Sequence, residues 1–349
     1  MAARLPEDAE RAGAGGTQPG PQGVEGVGLI GCEVMGLRAS SEAALDCLGV
    51  RGSDGVAVVF NDEQRAIAEA LAEAARRRAG AVTLIEFPAA SRHGEEPPAD
   101  VAEAMLSADV VFAPTSKSLS HTQARLAATR RGVRIATLPT INEDIFARTL
   151  PIDYVELRSV SESVAARLTL ASKAHVTSRA GTDIVLTLEG REGRSDDGNL
   201  QHAGAFGNLP AGEGYIAPIE TIGDGTVVID GSLAGYGRLI EPVRITVQGG
   251  RAVDASGDAG QWLLTTLDAG GEHGRSLAEL GIGTNPGARP TGEVLEDEKA
   301  LGTAHIAFGA SHGLGGVNAA TVHIDGVMLD VRVELDDEAM LSNGDLTLA

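Results

Sequence analysis

The sequence predicts an α/β domain with a parallel sheet, followed by an α+β domain rich in antiparallel strands. Between residues 55 and 140, short apolar runs alternate with helical patterns. Strands that are apolar throughout and separated by helices are typical of a parallel sheet covered on both faces. From Thr182 onward, β-type runs are separated by Gly-Asp-Gly and Gly-Gly turns, which favours antiparallel pairing. A chain of 349 residues is also long enough to form two hydrophobic cores.

The first domain is predicted from four apolar strands and the helices between them. In such a sheet, ligands bind beyond the carboxyl ends of the strands. Ser120 and His121 follow the third strand, so we expect them to contact a substrate, although Ser120 could instead cap the next helix. No glycine-rich nucleotide motif follows the first strand. The predicted strands are 56–60, 81–87, 110–113 and 133–138, and the predicted helices are 66–78, 100–107 and 121–131.

The second domain is predicted to begin with a bridging helix and to continue mainly as β-structure. The helix covers residues 160–174, a second helix covers 260–269, and the clearest strands are 184–188, 227–229 and 243–247. The first 27 residues are rich in Ala, Gly, Pro and Gln and contain no apolar run of signal-peptide length. We therefore expect a disordered leader (1–27), an α/β domain (28–155) and a metal-binding α+β domain (156–349).

The chain is strongly acidic, with 28 basic and 49 acidic residues and a net charge of −21. This charge repels phosphate backbones and anionic membrane surfaces, so neither nucleic acid nor a membrane is an expected partner. The sparse cysteines, Cys32 and Cys47, suit a reducing compartment. No apolar run reaches the length of about 18 residues that a transmembrane helix needs. We expect a cytoplasmic protein that acts on a small molecule or a short peptide.

The pair His323 and Asp325 is the densest chemical signal in the sequence. A spacing of two residues on a strand places both side chains on one face, where a single ion could contact both. Histidine and aspartate are also common on one strand as hydrogen-bonded neighbours. Residues further upstream favour the interpretation as metal ligands.

Three upstream residues complete a candidate ligand set. Glu279 and His305 each lie in an apolar run, where an unpaired charge is costly, although His305 could bond a backbone carbonyl instead. Glu213 follows a turn-rich loop and could be solvent-exposed. Oxygen and imidazole ligands together suit Zn²⁺, Mn²⁺, Co²⁺ or Fe²⁺. We predict that one divalent ion, or a close pair, is bound by Glu213, Glu279, His305, His323 and Asp325.

Four other polar residues are candidates for contact with substrate. Glu298 and His312 are candidates for acid–base catalysis, while Asn285 and Arg289 could bind a substrate carboxylate or simply form a turn. Glu298 lies in a charge-rich stretch, 293–299, that is typical of a solvated face. His312 lies in a glycine-rich loop, where a solvated histidine is common.

Four ordered motifs resemble the metalloaminopeptidase family of aminopeptidase T and aminopeptidase S. Their order and spacing agree with that family over most of residues 180–330, and residues 118–125 resemble its first domain. The motifs are 208–213 (Asn-Leu-Pro-Ala-Gly-Glu), 278–286 (Ala-Glu-Leu-Gly-Ile-Gly-Thr-Asn-Pro), 298–309 (Glu-Lys-Ala-Leu-Gly-Thr-Ala-His-Ile-Ala-Phe-Gly) and 323–325 (His-Ile-Asp).

The resemblance implies a cytoplasmic homodimer that hydrolyses an N-terminal peptide bond. It also implies that the five predicted ligands bind two metal ions, with at least one ligand bridging them. The expected ions are Zn²⁺, Mn²⁺ or Co²⁺. The reaction that follows from this set is attack of a metal-activated water on an amide carbonyl.

Two alternatives remain open at this point. The same superfamily includes 2,5-dihydroxypyridine dioxygenases, which the chain resembles in size, in layout and in a glycine-rich loop before His323. Those enzymes use a 2-His-1-carboxylate iron site, with a histidine where this chain has Glu279, so Fe²⁺ and ring cleavage form one alternative. The aminopeptidases carry a tyrosine near the His305 motif, where residues 309–313 here read Gly-Ala-Ser-His-Gly. A catalytically silent, metal-stabilised binding protein is the other alternative.

Overall fold

The computed structural model describes residues 25–348, with side chains from Gly36 onward. The predicted leader, residues 1–27, lies outside this range except for its last three residues, which begin the first helix. The elements of the first part are α1 (Glu25–Cys47), β1 (Gly55–Phe60), α2 (Arg65–Arg78), β2 (Ala81–Glu86), α3 (Ala99–Ser107), β3 (Val110–Thr115), α4 (Gln123–Arg130), β4 (Arg134–Pro139), α5 (Glu143–Thr149) and α6 (Tyr154–Leu170).

A parallel sheet forms the centre of this first part. Its first four strands lie in the order β2-β1-β3-β4 and pair in parallel. Alternate residues of β1 pack on opposite faces: Val58 and Phe60 join the core beneath α1 and α2, whereas Ala57 and Val59 join the core beneath α3. Every residue of β3 and β4 is buried. The predicted α/β domain, with its sheet covered on both faces, is confirmed.

The second part is dominated by short strands. The elements are β5 (Lys173–Ser178), β6 (Asp183–Thr187), β7 (Arg194–Asp196), β8 (Phe206–Asn208), β9 (Glu213–Ile216), β10 (Gly225–Ile229), β11 (Ser232–Leu233), β12 (Gly237–Arg238), β13 (Val243–Gln248), β14 (Arg251–Ala255), α7 (Gly257–Ala269), β15 (Leu277–Gly283), α8 (Val294–Asp297), β16 (Ala304–Gly309), β17 (His323–Met328), β18 (Val331–Leu335), β19 (Glu338–Ser342) and β20 (Asp345–Leu346).

Two antiparallel sheets pack face to face in this part. The second sheet has the order β14-β13-β10-β6-β5-β18-β19-β20, and the third has the order β12-β11-β17-β16-β15-β9-β7. Ile184 and Val227 of the second sheet share one core with Leu280 and Ile306 of the third. The predicted α+β domain rich in antiparallel strands is thus confirmed. The opposite face of the third sheet is left to carry polar side chains.

Two helices differ from the sequence prediction. Helix α1 was not predicted, yet Ala44 and Leu45 in its last turn are fully buried. Helix α6 begins at Tyr154 rather than at 160, because the carboxylate of Asp153 accepts hydrogen bonds from the backbone N–H groups of the first turn. It ends at Leu170, and the residues predicted to close it belong to β5. None of the helices between residues 25 and 348 is long and apolar enough to cross a membrane.

The chain returns once to the parallel sheet after it has entered the second part. Strand β8 pairs in parallel with β4, so that Phe206 lies opposite Ile135. Residues beyond 155 therefore complete the first sheet, and the predicted domain boundary at 155 stays a prediction.

Candidate metal centre

Four neighbouring strands of the third sheet carry the five predicted ligands. The register pairs Gly281 with His305. Leu280 and Ile306 point into the core. Because successive residues of a strand point to opposite faces, Glu279 and His305 point away from the core. The predicted ligands are Glu213 in β9, Glu279 in β15, His305 in β16, and His323 and Asp325 in β17.

These side chains form overlapping groups that could each hold an ion. In each group the three ligand atoms lie within 4.8 Å of one another. The structure therefore brings together all five predicted ligands, and Glu298 joins them, while metal binding itself stays a prediction. The groups found among the described residues are Glu213–Glu279–His305, Glu279–His323–Asp325 and Glu298–His305–Asp325.

His323 is oriented as a metal ligand would be. Its Nδ1 lies 2.8 Å from the carbonyl oxygen of Ala310, which can only accept, so Nδ1 carries the donated hydrogen. The other nitrogen, Nε2, lies 3.1 Å from both Asp325 Oδ1 and Glu279 Oε2. A hydrogen bond from one ring nitrogen to a carbonyl fixes the tautomer and directs the other nitrogen at a metal. The Ala310 contact could not be predicted from the sequence, because it depends on the return of the chain after the glycine-rich loop.

Glu213 supplies an independent test of whether an ion fits. Its Oε2 is buried and has no hydrogen-bond partner among the described residues, and His305 Nε2 lies 3.4 Å away. A buried anionic oxygen without a partner is costly, and a divalent ion bound by the neighbouring ligand groups would compensate its charge. The residues present therefore fit a divalent ion.

The charges of the cluster shift three pKa values in directions that favour a cation. Burial alone would lower the pKa of His323, but Asp325 and Glu279 raise it well above its ordinary value. Burial likewise opposes a proton on His305, yet Glu279 and Glu213 raise its pKa to about 9. Burial would raise the pKa of Glu279, and the two histidines nevertheless keep it below its ordinary value. A negative potential that holds protons on two imidazoles also attracts a metal ion.

The charge-rich stretch 293–299 is not the solvated face that the sequence predicts. Glu298 is 9% exposed and Lys299 is 2% exposed. The ammonium of Lys299 lies 2.5 Å from Glu213 Oε1 and 3.0 Å from Glu298 Oε1. It also lies 3.4 Å from Asp196 Oδ2. The sequence did not reveal this cluster, because Lys299 and Glu213 are 86 residues apart and a buried lysine needs partners that only the fold brings together.

Glu298 has the properties of a proton-holding group. Its pKa is raised to about 8, first by burial and then by the charges of Asp325 and Glu213, while Lys299 opposes this shift. Burial also raises the pKa of Asp196 to about 7, against the effect of Lys299. Acid–base catalysis needs a group whose pKa lies close to the working pH.

The loop after β3 contributes the predicted first-domain residues. Burial lowers the pKa of His121, and the charges of His323 and His312 act in the same direction. Ser120 is buried, and its Oγ lies 3.0 Å from Thr137 Oγ1. Ser120 is not the cap of the next helix, because the hydroxyl of Thr122 takes that position.

The side chains of Asn285 and Arg289 do not contact the predicted ligands. The Asn285 amide is fully buried and donates to the carbonyls of Thr149 and Ala211. Arg289 is exposed and lies 3.2 Å from Asp144. These contacts give Asn285 a role in holding loops together, and the predicted binding of a substrate carboxylate gains no support from them.

The glycine-rich loop that carries His312 is held by a buried carboxylate that the sequence did not single out. Glu220 Oε1 accepts hydrogen bonds from Ser311 Oγ at 2.5 Å and from the Val317 N–H at 2.6 Å. Its Oε2 lies 2.5 Å from the guanidinium of Arg191, which also donates to the Gly315 carbonyl. One side chain thus fixes both ends of the loop.

Replacing Glu220 by glutamine is expected to destabilise the fold in a pH-dependent way. Burial would raise the pKa of Glu220, but the bonds from Ser311 and Val317 and the charge of Arg191 hold it below its ordinary value of 4.5. The carboxylate therefore contributes stability above pH 4.5 that is lost as the pH falls through the lowered pKa. We expect Glu220→Gln to cost about 1–3 kcal/mol at pH 7 and less at lower pH. Urea unfolding of both proteins across this range measures the difference, with the exposed Glu338→Gln as control; a pH-independent difference would contradict the assigned charge.

Comparison with known proteins agrees with the fold. A structure of 2,5-dihydroxypyridine dioxygenase from Pseudomonas putida KT2440 matches with a TM-score of 0.73 and 21% identity, over 89% of this chain and 96% of that chain. Wild-type AmpT from Thermus thermophilus matches with a TM-score of 0.68 and 20% identity, over 90% and 99%. Aminopeptidase T from Thermus aquaticus is 30% identical over 148 residues, which is 37% of this chain but only 36% of that protein's length.

The parallel sheet joined to two antiparallel sheets is the fold of both matching structures, and the family and sequence matches place the chain in a superfamily that includes aminopeptidase T and 2,5-dihydroxypyridine dioxygenase. The predicted resemblance to this superfamily is confirmed. Within it, the chain belongs to the NicX family, described as 2,5-dihydroxypyridine 5,6-dioxygenase, which matches residues 37–348. The description of this family is that of an enzyme.

Proposed function

We propose that this protein is a metal-dependent hydrolase that cleaves an amide bond in a short peptide or a related small molecule. The observation that carries the proposal is the composition of the ligand groups. Among the described residues, each group contains one histidine and two carboxylates. Iron oxygenases of the facial-triad type use two histidines and one carboxylate, whereas carboxylate-rich sets suit ions that act as Lewis acids.

The roles of the individual side chains follow from their contacts. A divalent ion bound by this cluster would supply an activated water and polarise the carbonyl under attack. His323 is held by Ala310 so that its Nε2 faces the other ligands. Glu298, buried beside Lys299, is the group to which we assign the proton that the leaving amine requires.

The open side of the cluster supports access by a substrate. The side chains of His323 and Asp325 are 23% and 16% exposed, whereas those of Glu279 and His305 are 7% and 1% exposed. We therefore expect substrate to reach the cluster from the side of His323 and Asp325, whose charges also act on the pKa of His121. We assign His121 and His312 to the walls that orient the substrate.

A second candidate, ring cleavage by an iron dioxygenase, is favoured by one observation. The matching family is described as 2,5-dihydroxypyridine 5,6-dioxygenase, and the match extends over residues 37–348. In that reaction oxygen is a substrate, whereas hydrolysis needs only water. The two candidates are therefore separable by their need for oxygen.

The expected result is metal-dependent release of an amino acid that continues without oxygen. The protein would be stripped with a chelator, reloaded with Zn²⁺, Mn²⁺ or Co²⁺, and incubated with short peptides under air and under argon. We expect loss of turnover on stripping, recovery on reloading, and equal rates in both atmospheres. A parallel incubation of the Fe²⁺-loaded protein with 2,5-dihydroxypyridine follows ring absorbance. Ring loss that requires oxygen, with no release from any peptide, would reject the hydrolase in favour of the dioxygenase.

A further inference from the structure

Lys299 occupies a distinctive position within the ligand cluster. It is 2% exposed, and its ammonium contacts Glu213, Glu298 and Asp196 within 3.4 Å. A lysine with so little exposure is rare unless it is paired with opposite charge. Here the paired charges include residues that could otherwise bind a metal.

The three ligand groups cannot all be filled at once. Two of them, Glu213–Glu279–His305 and Glu298–His305–Asp325, both require His305. A histidine nitrogen has one lone pair and binds one ion, so only one of these two groups can hold an ion at a time. The remaining group, Glu279–His323–Asp325, does not use His305. That group shares Glu279 with one of the other two groups and Asp325 with the other, and a carboxylate has two oxygens that can serve two ions. The cluster therefore offers one position at Glu279–His323–Asp325 and a second position that has two alternative ligand sets.

Lys299 contacts one carboxylate in each of the two alternative ligand sets of the second position and no residue of the Glu279–His323–Asp325 group. Its partner is Glu213 in one set and Glu298 in the other. Among the described residues, no ion pair joins Lys299 to Glu279 or Asp325. An ammonium and a divalent ion that share these oxygens would repel each other strongly in a buried site.

The lysine is held in this place by its backbone. Its carbonyl accepts from the Asn285 N–H at 2.8 Å, and its own N–H donates to the Glu296 carbonyl at 3.0 Å. The segment also packs against Gly283, where an added Cβ would lie 2.8 Å from the Lys299 carbonyl carbon. The backbone of Lys299 is therefore fixed beside the cluster, and its ammonium is held there by the ion pairs with Glu213, Glu298 and Asp196.

We propose that the ammonium of Lys299 serves as the second cation of the centre, so that each chain binds a single divalent ion through Glu279, His323 and Asp325. Glu213 then binds the Lys299 ammonium and not the ion. His305 lies between Glu213 and Glu279, with its Nε2 3.4 Å from the first carboxylate and 3.5 Å from the second. The inference rests on metal binding by the proposed hydrolase, but it does not require turnover.

The test is a count of Mn²⁺ ions per chain. The metal-free full-length protein, Lys299→Met and Lys299→Gln are each saturated with Mn²⁺ by equilibrium dialysis and measured by elemental analysis and electron paramagnetic resonance. We expect one ion per chain and an uncoupled Mn²⁺ spectrum for the natural protein. We expect two ions and a spin-coupled spectrum for the variants, because the carboxylates then lack a cation. Lys299→Gln keeps a hydrogen-bond donor and serves as the second variant if Lys299→Met does not fold.

A matched control removes a buried cation elsewhere. Arg134, 9% exposed at its side chain, pairs with Asp54 at 2.8 Å in the first domain. Arg134→Met should lose stability and keep one ion. Two ions in the natural protein, or one ion in a folded Lys299 variant, would overturn the proposal. The number of Mn²⁺ ions per chain is measured without catalysis. One ion without peptide turnover would refute only the proposed function. Two ions with peptide turnover would refute only the role of Lys299.

Discussion

Replacing His323 by alanine is expected to lower the affinity of the centre for a divalent ion by at least about tenfold, the loss typical of a disturbed metal shell. The variant loses Nε2, which lies 3.1 Å from both Glu279 and Asp325. It also leaves the carbonyl of Ala310 without its donor and leaves two carboxylates facing each other without compensating charge. Asp325→Asn preserves volume but supplies a neutral, weaker ligand, so its loss should be in the same direction and smaller.

The measurement is the metal content of the purified variants, together with their thermal melting curves. A matched control exists on the surface, where His175 Nε2 lies 2.8 Å from Asp183 in an exposed His–Asp pair. His175→Ala should retain the full metal content. If His323 were only a hydrogen-bonded neighbour of Asp325, a folded His323→Ala would keep its metal and lose about 1–3 kcal/mol of stability. That result would mean that His323 and Asp325 do not bind the metal ion.

The fold could be predicted from the sequence to the extent that local pattern determines it. In β1 and β3 the apolar runs are nearly continuous, because helices cover both faces of the parallel sheet. Helix α6 was predicted in the right region but with shifted ends, since its start depends on the Asp153 cap. Helix α1 was missed, because the glycine- and serine-containing sequence before Cys47 lacks a strong apolar period and is stabilised by packing against α2 and α5.

The candidate site could be predicted only where spacing or a motif reported it. His323 and Asp325 share a face because the pleat repeats every two residues. Glu279 and His305 were recognised because a charge within an apolar run needs a partner. Lys299 and Glu220 were not recognised as buried groups, because their partners come from strands and loops distant in the sequence. The chemistry of a charged stretch is therefore decided by tertiary contacts that composition does not report.

A further large effect is expected at Gly281, which lies opposite His305 in the pairing of β15 with β16. A Cβ at this position would lie 2.1 Å from both Cε1 and Nε2 of His305, far closer than atoms can approach. No positive backbone angle requires glycine here, so the constraint is the room that the imidazole needs. Gly281→Ala should therefore displace the His305 ring from Glu279 and Glu213.

We expect Gly281→Ala to lose about 1–3 kcal/mol of stability through overpacking. We also expect it to bind a divalent ion about 10–100-fold more weakly, the loss typical when a residue that orients a metal ligand is disturbed. Zn²⁺ titration and melting curves measure the two effects. Gly52→Ala is the control, because the nearest atom to its added Cβ is the Arg78 carbonyl oxygen at 3.7 Å. The double variant Gly281→Ala/His305→Ala separates the causes: with the ring removed, the stability lost to overpacking should return while the metal affinity stays low. Full metal affinity in folded Gly281→Ala would mean that the position of the His305 ring is not needed to hold the ion.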